Sequence, residues 1–393
     1  MFTQRRLFSV FTTVLILLFA VGCKSSPETT VEEVDFSENS FVTEWNTGLL
    51  GFTDANSIKL PLVEGGNYDF TVDWGDGTSD RITGWNQPEV THRYEKPGVY
   101  VVRIEGTLDG WAFHGRWDDR RQAWVPYGDQ RKLLAVHQWA NIGLGDGGNQ
   151  FIAATHLQIP ATDAPDLSGV TSLANAFGGC KILNSPSLDR WDVSSVRDMT
   201  NLFSGARSFN QPLDSWDVSF VEKMGGLFSN AVSFNQPLDS WDVSSVRDMN
   251  SLFAGAQNFN QPLDSWDVSS VTDMGWLFSD ARAFNQPLDR WDVSSVTHME
   301  YLFDRAESFD QPIDSWDVSS VQTMKSMFDG ASKFNQPLDK WDVSSVVDMR
   351  EMFRDATSFN QRLDAWDVSA VEEAYDMFYG ATSYEFDPPL PWR

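Results

Sequence analysis

A period of 25 residues governs the C-terminal two-thirds of the chain. Tryptophan recurs at this step, and one phenylalanine and one alanine recur in register beside it. The tryptophans are Trp191, Trp216, Trp241, Trp266, Trp291, Trp316, Trp341 and Trp366. The unit reads F-N-Q-P-L-D-x-W-D-V-S-S-V-x-x-M-x-x-L/M-F-x-x-A-x-x. A unit this short cannot bury its apolar face alone, so the copies must stack into a continuous core.

The apolar spacing within a unit predicts a short helix followed by an extended segment. Four apolar residues lie 3, 4 and 3 residues apart, which is the spacing of one helix face. They are Val196, Met199, Phe203 and Ala206. Ser195 is a candidate N-cap with Asp198 three residues later, and residues 209–218 read as extended. We therefore predict an α/β repeat solenoid of the leucine-rich-repeat kind, with one short strand and one short helix in each unit.

The repeat sets the domain boundaries of the C-terminal part. Eight full units occupy residues 191–385, and two degenerate units precede them in residues 133–190. Degenerate end units are expected, because terminal repeats cap a stack against water. Three prolines in the tail, residues 386–393, stop the pattern.

Residues 41–106 have the alternating pattern of β-strands. Tyr68, Phe70 and Val72 alternate and run into the sequence DWGDGT, a hairpin signal. With the later HRY and PGVY segments, this part resembles a PKD-type β-sandwich, so we predict a small all-β domain. Asp73 and Asp76 are read either as turn residues or as a Ca²⁺ loop. Residues 107–132 are interpreted as a connecting segment with a short hairpin.

The N-terminus has the pattern of an export signal. Residues 1–22 contain Arg5 and Arg6 and then an apolar run too short for a membrane-spanning helix. Small residues precede Cys23, which makes the segment resemble a bacterial lipobox; an ordinary signal peptide is the alternative. The resemblance implies cleavage before Cys23 and its acylation. Residues 23–40 are polar and acidic and predict a disordered tether.

The charge balance restricts the partners. The formal net charge is −27, and removal of Arg5 and Arg6 with the signal would change it to −29. Such a surface argues against nucleic acid and anionic lipid. It is compatible with cationic partners or Ca²⁺.

Two aspartate columns result when the units stack. The first aspartate column comprises Asp189, Asp214, Asp239, Asp264, Asp289, Asp314, Asp339 and Asp364. The second aspartate column comprises Asp192, Asp217, Asp242, Asp267, Asp292, Asp317, Asp342 and Asp367. Stacked carboxylates repel one another, so each must be solvated, bonded to backbone N–H groups, or bridged by cations. Capping of the backbone is the favoured interpretation. Ca²⁺ bound by Asp214, Asp217, Asp239 and Asp242 is the alternative.

The tryptophan column also allows two interpretations. Exposed indoles would form a carbohydrate-binding platform, and buried indoles would be core; their place between constant apolar residues favours core. The polar, variable positions are the surface expected to meet partners. These are positions 197, 198, 200, 201, 204 and 207 with their equivalents. No catalytic or cofactor-binding motif is recognisable, and the five histidines lack metal-ligand spacing. The chain is therefore interpreted as non-enzymatic.

The unit resembles the repeat of BspA-like leucine-rich-repeat surface proteins, which also occurs in mycoplasma lipoproteins. The combination of lipobox, PKD-like domain and repeats resembles that family as well. The resemblance implies a lipid-anchored cell-surface protein, on the outer membrane if the host has one. It implies adhesion to a host or neighbouring-cell protein or glycan. A carbohydrate-binding surface module is the alternative function.

Overall fold

The computed structural model describes residues 39–118, 123–126, 128–140 and 142–387. The expected signal peptide, the expected acylation site Cys23 and nearly all of the expected tether lie outside these residues, as does most of the C-terminal tail. Within the described ranges, no helix is both long and apolar enough to cross a bilayer.

The N-terminal part is built from β-strands. They are β1 (Ser40–Asn46), β2 (Ser57–Lys59), β3 (Leu62–Asp73), β4 (Ser79–Ile82), β5 (Thr91–Arg93), β6 (Val99–Trp111), β7 (Gly115–Asp118), β8 (Ala123–Pro126) and β9 (Leu133–Gln138). Five of them form an antiparallel sheet in the order β4-β3-β6-β1-β9, and β2 pairs with β5. Short 3-10 helices occur at Pro88–Val90 and Gln130–Lys132. The predicted all-β domain is consistent with this arrangement.

The DWGDGT sequence forms the predicted hairpin between β3 and β4. Asp73 Oδ1 accepts the Gly75 N–H at 2.9 Å, and Asp76 Oδ1 accepts the Thr78 N–H at 3.0 Å. The second Asp76 oxygen lies 2.9 Å from His92 Nε2. Both aspartates therefore have the turn role that was the first of the two interpretations.

One buried tryptophan explains the spacing of the PKD-like sequence signals. The Trp74 indole donates to Asp80 Oδ2 at 2.9 Å, and the His92 ring stacks on it at 4.7 Å. The Tyr94 hydroxyl donates to the Trp74 carbonyl oxygen at 3.0 Å, and the Tyr94 ring stacks on Tyr100. The three sequence segments thus meet around one indole.

The sheet and the repeats are joined by hydrogen bonds. Strand β9 pairs with β1, although the sequence placed residues 133–190 among the repeats. Its residue Ala135 also forms a parallel bridge with Gln158, and the Gly143 N–H donates to the Leu108 carbonyl oxygen. Strands β6 and β9 therefore serve as the template for the first coil. The predicted hairpin of the connecting segment is present as β7 and β8.

The 25-residue units form stacked coils made of turns, not of helices. In the coil that begins at Trp241, the N–H groups of Leu252, Ala254 and Ala256 donate to the carbonyl oxygens three residues earlier. The residues that alternate with them, such as Ser251 and Phe253, donate their N–H groups to carbonyl oxygens of the next coil at 2.8 and 2.9 Å. The strand component is a single parallel bridge per coil, such as Asp248 with Asp273.

The predicted helix, and with it the α/β solenoid class, is wrong. No α-helix occurs among the described residues, and the remaining 3-10 helix is Pro186–Arg190. Ser195 is not an N-cap, because its hydroxyl donates to the Leu167 and Val170 carbonyl oxygens of the preceding coil. Overlapping four-residue turns place an apolar side chain inward every three or four residues, so they imitate the spacing of a helix.

Two left-handed residues in each coil prevent helix formation. In the coil at Trp191 they are Asn201, with φ 56°, and Gly205, with φ 72°. The same two positions are left-handed in every full repeat. This conformation costs most L-residues about 1–2 kcal/mol, and glycine and asparagine adopt it most easily. The positions nevertheless also contain Trp276, Tyr301 and Arg305.

Aromatic columns connect the coils through the core. The rings of Phe228, Phe253 and Phe278 stack at 5.8 and 5.7 Å. A second column, from Phe209 to Tyr384, runs beside it at 5.9–6.1 Å. At the N-terminal end, Trp139 contacts Phe41 of β1, so the apolar core continues from the sheet into the coils. The predicted continuous core is therefore present.

Candidate functional site

The tryptophan column belongs to the core. Trp266 is only 3% exposed, and its Nε1 donates to the Leu238 carbonyl oxygen of the preceding coil at 2.9 Å. The same bond recurs from Trp216 to Trp366. The prediction of burial is confirmed. A carbohydrate platform made of these indoles is therefore excluded.

The second aspartate column caps the backbone. In each coil one carboxylate oxygen accepts the N–H of the serine two residues later, as Asp217 accepts from Ser219 at 3.1 Å. The serine hydroxyl usually donates to the same oxygen, at 2.7 Å for this pair. Hydrogen bonds from the serine hydroxyl and N–H lower the pKa of six of these groups. The six are Asp192, Asp217, Asp242, Asp292, Asp342 and Asp367. Backbone capping is confirmed for this column.

The first aspartate column is largely exposed, and among the described residues none of its carboxylates accepts a backbone N–H, so the capping interpretation is wrong for this column. Asp214 and Asp239 mainly offer their backbone carbonyl oxygens, which accept from Ser240 and Ser265. Asp314 pairs with Lys340. Across the described ranges, no three His, Cys, Asp or Glu residues converge on a point that could hold a metal ion.

An asparagine ladder supports the coils beside these columns. Asn210 Oδ1 accepts the Asn235 N–H at 2.9 Å and the Gln236 amide at 3.0 Å. Where Asp310 replaces asparagine, its carboxylate accepts the same two bonds from the next coil. The acceptor oxygen is therefore the feature that the position requires.

Asp329 lies near the carboxylates of Asp304, Glu351 and Asp355, and we expect it to make the stability of the stack depend on pH. Burial and the nearby Asp304 carboxylate raise the pKa of Asp329 to about 6. An unfolded aspartate ionises near pH 3.9. Because the folded pKa is the higher one, the folded chain binds more protons between these values, and stability should rise as pH falls from 7 through 6.

The substitution Asp329→Asn should make the stability of the stack change less with pH. We expect the gain in melting temperature between pH 7 and pH 5 to shrink in Asp329→Asn but to persist in Asp339→Asn, because Asp339 is exposed. Thermal unfolding followed by circular dichroism over this range is the measurement. An unchanged slope in Asp329→Asn would contradict the assignment.

The variable positions divide into exposed and buried ones. Position 197 and its equivalents lie on the surface, whereas position 204 is buried at Ser204, Ser279 and Asp304. The expectation of a variable outer surface therefore applies to only part of the predicted set.

In two neighbouring coils, the equivalents of position 201 are large aromatic residues that lie on this surface, Trp276 and Tyr301. Trp276 is 38% exposed, and its ring stacks on Tyr301 with 3.8 Å between centroids and 16° between planes. The Lys325 ammonium lies 5.3 Å from the centre of the Tyr301 ring. Sequence reasoning placed these residues in the variable set but did not single them out. The sequence signal that could have identified them is a large aromatic residue at the same position in two consecutive units. The other units have Asn, Gly, Ser or an acidic residue there.

Two protein-family models match the chain, one in its N-terminal part and one in the repeats. A PKD domain matches residues 51–110. A search of curated proteins and a search of solved structures each find no match. The family described as "Mycoplasma protein of unknown function, DUF285" matches in three overlapping copies, residues 148–251, 235–331 and 309–390. These copies span residues 148–390, which is 243 of the 393 residues, and the chain therefore belongs to this family.

Proposed function

We propose that this chain is a non-enzymatic, lipid-anchored cell-surface protein that mediates adhesion or protein–protein interaction through its stacked repeats. The observation that carries the proposal is the contrast between a constant buried frame and exposed positions that change from coil to coil. A frame of this kind provides an extended surface whose chemistry is varied without disturbing the core.

Position 197 illustrates this variation. Its occupants change in charge and size along the stack, and nearly all of them are exposed. They are Arg197, Glu222, Arg247, Thr272, Thr297, Gln322, Val347 and Glu372. By contrast, the tryptophan, phenylalanine and alanine of the core recur unchanged or nearly so. Variation at exposed positions over an almost constant core is what a partner-binding role requires.

The attachment to a membrane is proposed through Cys23. Acylation of its thiol and of the new N-terminal amine would supply more than one chain, which is enough for stable anchoring. The residue after the cysteine is Lys24, which favours the outer membrane in a host that has one. The resemblance to BspA-like surface proteins supports the same location. Partners would be a protein or glycan of a host or neighbouring cell.

The test compares bacteria that display the chain with bacteria that express Cys23→Ser. We expect labelled palmitate to enter the native chain but not the variant, and protease added to intact cells to remove the native chain. Cells with the native chain should adhere to epithelial cells or to neighbouring bacteria more strongly than cells with the variant. Equal adhesion of the two strains would overturn the proposal.

A further inference from the structure

The two stacked rings of Trp276 and Tyr301 differ in what lies against their outer faces. Lys325 covers the outer face of Tyr301, and Tyr301 covers one face of Trp276. On the other side of Trp276, the equivalent positions of the two preceding coils are Ser251 and Gly226. Neither side chain is large enough to cover an indole ring. The second face of Trp276, its open face, therefore meets no large side chain from these two positions, and the residue is 38% exposed.

The backbone makes this position an unfavourable one for large aromatic residues. Trp276 has φ 61° and Tyr301 has φ 56°, the left-handed conformation that bulky residues rarely adopt. Every full coil is left-handed here, so the feature particular to this site is that two large aromatic residues occupy the position. The surrounding coils show that glycine or asparagine suffices here for folding, as at Gly226 and Asn201.

Polar groups converge at Gly275, the residue before Trp276. Gly275 has no side chain, and a Cβ atom there would lie 2.9 Å from Asn250 Nδ2. The same point would lie 3.2 Å from both Asp273 Oδ1 and Glu300 Oε1. Two carboxylates and an amide thus surround the residue that directly precedes Trp276, and the Asn250 amide donates to Asp273 Oδ1 at 3.4 Å. Asp273 also accepts the Gly275 N–H at 2.9 Å, which fixes its position.

We infer that the open face of Trp276 is a subsite for one hexopyranose ring of a neutral glycan. The inference rests on the proposed surface function and names the ligand class of one site. The apolar C–H face of a sugar stacks on the indole, and its hydroxyls donate to Asp273 and Glu300 or accept from Asn250. The strongly acidic chain disfavours sulfated or sialylated glycans at this site.

The experiment measures retardation of the native chain in gels that contain soluble neutral polysaccharides of glucose, galactose or mannose. Trp276→Gly is the decisive variant, because glycine adopts the left-handed conformation freely and the variant should fold. Phe220→Ala is the matched control, since Phe220 is an aromatic residue of the repeats that is 56% exposed and occupies a different position of the unit, two coils earlier. Melting temperatures confirm that all three proteins are folded.

We expect at least one neutral polysaccharide to retard the native chain. Trp276→Gly should weaken that affinity more than about tenfold, and Phe220→Ala should leave it unchanged. The inference is overturned if no neutral polysaccharide retards the native chain, or if folded Trp276→Gly binds as well as the native protein.

Adhesion of cells that display the chain, compared with polysaccharide binding by the purified chain, distinguishes a failure of this inference from a failure of the proposed function. If cells that display the native chain adhere while the purified chain binds no neutral polysaccharide, the subsite is wrong and a protein partner is indicated. If the polysaccharide binds through Trp276 but displayed cells do not adhere, the subsite stands and the adhesion proposal falls.

Discussion

Replacing Trp266 by alanine is expected to lower the free energy of unfolding by about 3–5 kcal/mol. The indole is buried, packs against Phe253 at 6.2 Å, and donates to the Leu238 carbonyl oxygen of the coil before it. Alanine would leave a cavity in mid-stack and a buried carbonyl oxygen without its donor. Because each coil is stabilised mainly by its two neighbours, the loss also uncouples the coils on either side.

The hydrogen bond can be separated from the packing with two phenylalanine substitutions. Trp266→Phe keeps most of the ring but removes the bond, so we expect a loss of about 1–3 kcal/mol. Trp191→Phe is the matched control, because the Trp191 Nε1 is buried and has no hydrogen-bond partner among the described residues. That substitution should be close to neutral or stabilising.

Urea denaturation followed by circular dichroism measures these differences as changes in the midpoint concentration. The order of stability expected is Trp191→Phe above Trp266→Phe above Trp266→Ala. If Trp191→Phe and Trp266→Phe lost the same stability, the bonds between indole and carbonyl would have no measurable role in holding the coils together.

Lys132→Met is expected to destabilise the N-terminal part by about 3–5 kcal/mol. The Lys132 side chain is fully buried, and its ammonium donates to the Thr53, Asp54 and Ser57 carbonyl oxygens at 3.1, 2.7 and 2.8 Å. It lies 3.6 Å from the carboxylate of Asp129, which is also buried. Methionine would leave three carbonyl oxygens and one carboxylate without their cation.

The partner substitution shows whether the two charges act together. Asp129 accepts the N–H groups of Thr53 and Lys59 at 2.9 and 2.8 Å, so Asp129→Asn alone should also destabilise. Because the two residues are in contact, the double variant Lys132→Met/Asp129→Asn should lose less than the sum of the single losses.

An exposed pair provides the control for this buried one. The side chains of Arg93 and Asp54 are mostly exposed and 3.4 Å apart, so Arg93→Met should cost less than about 1 kcal/mol. Guanidinium denaturation measures all four variants. A loss in Lys132→Met no larger than that in Arg93→Met would contradict the structural role assigned to the buried ammonium.

The repeat made the core predictable from the sequence. The constant place of Trp266 between apolar residues favoured its burial, and the repulsion between stacked carboxylates favoured the bonding of Asp217 to the backbone. The DWGDGT turn was equally predictable, because aspartate and glycine in that order leave few alternative backbone conformations.

The conformation within each coil could not be predicted from apolar spacing. A helix and a series of overlapping turns both place Met199 and Phe203 on one side of the chain. What distinguishes them is the left-handed conformation of Asn201 and Gly205. That conformation is a property of the backbone that asparagine suggests only weakly. The glycine of the second position, which recurs in Gly255, Gly330 and Gly380, was the better signal.

The candidate subsite at Trp276 escaped sequence reasoning for a related reason. Averaging over the units draws attention to what is constant, and the aromatic residues at positions 276 and 301 are departures from the unit. Only the stacked geometry shows that these two departures are adjacent and that the ring of Trp276 stacks on that of Tyr301.

The bonding between coils has a consequence for how such chains change length. Each coil in the middle of the stack offers its successor the same kinds of donors and acceptors that it takes from its predecessor. Removing residues 241–265 would bring Asp239 and Ser240 directly before Trp266 and keep these kinds of contact. Recombination between nearly identical units can therefore shorten or extend the reach of the protein in steps of 25 residues. The sheet that pairs with the first coil is unaffected by such an exchange. What changes is which exposed side chains are present along the stack and in what order.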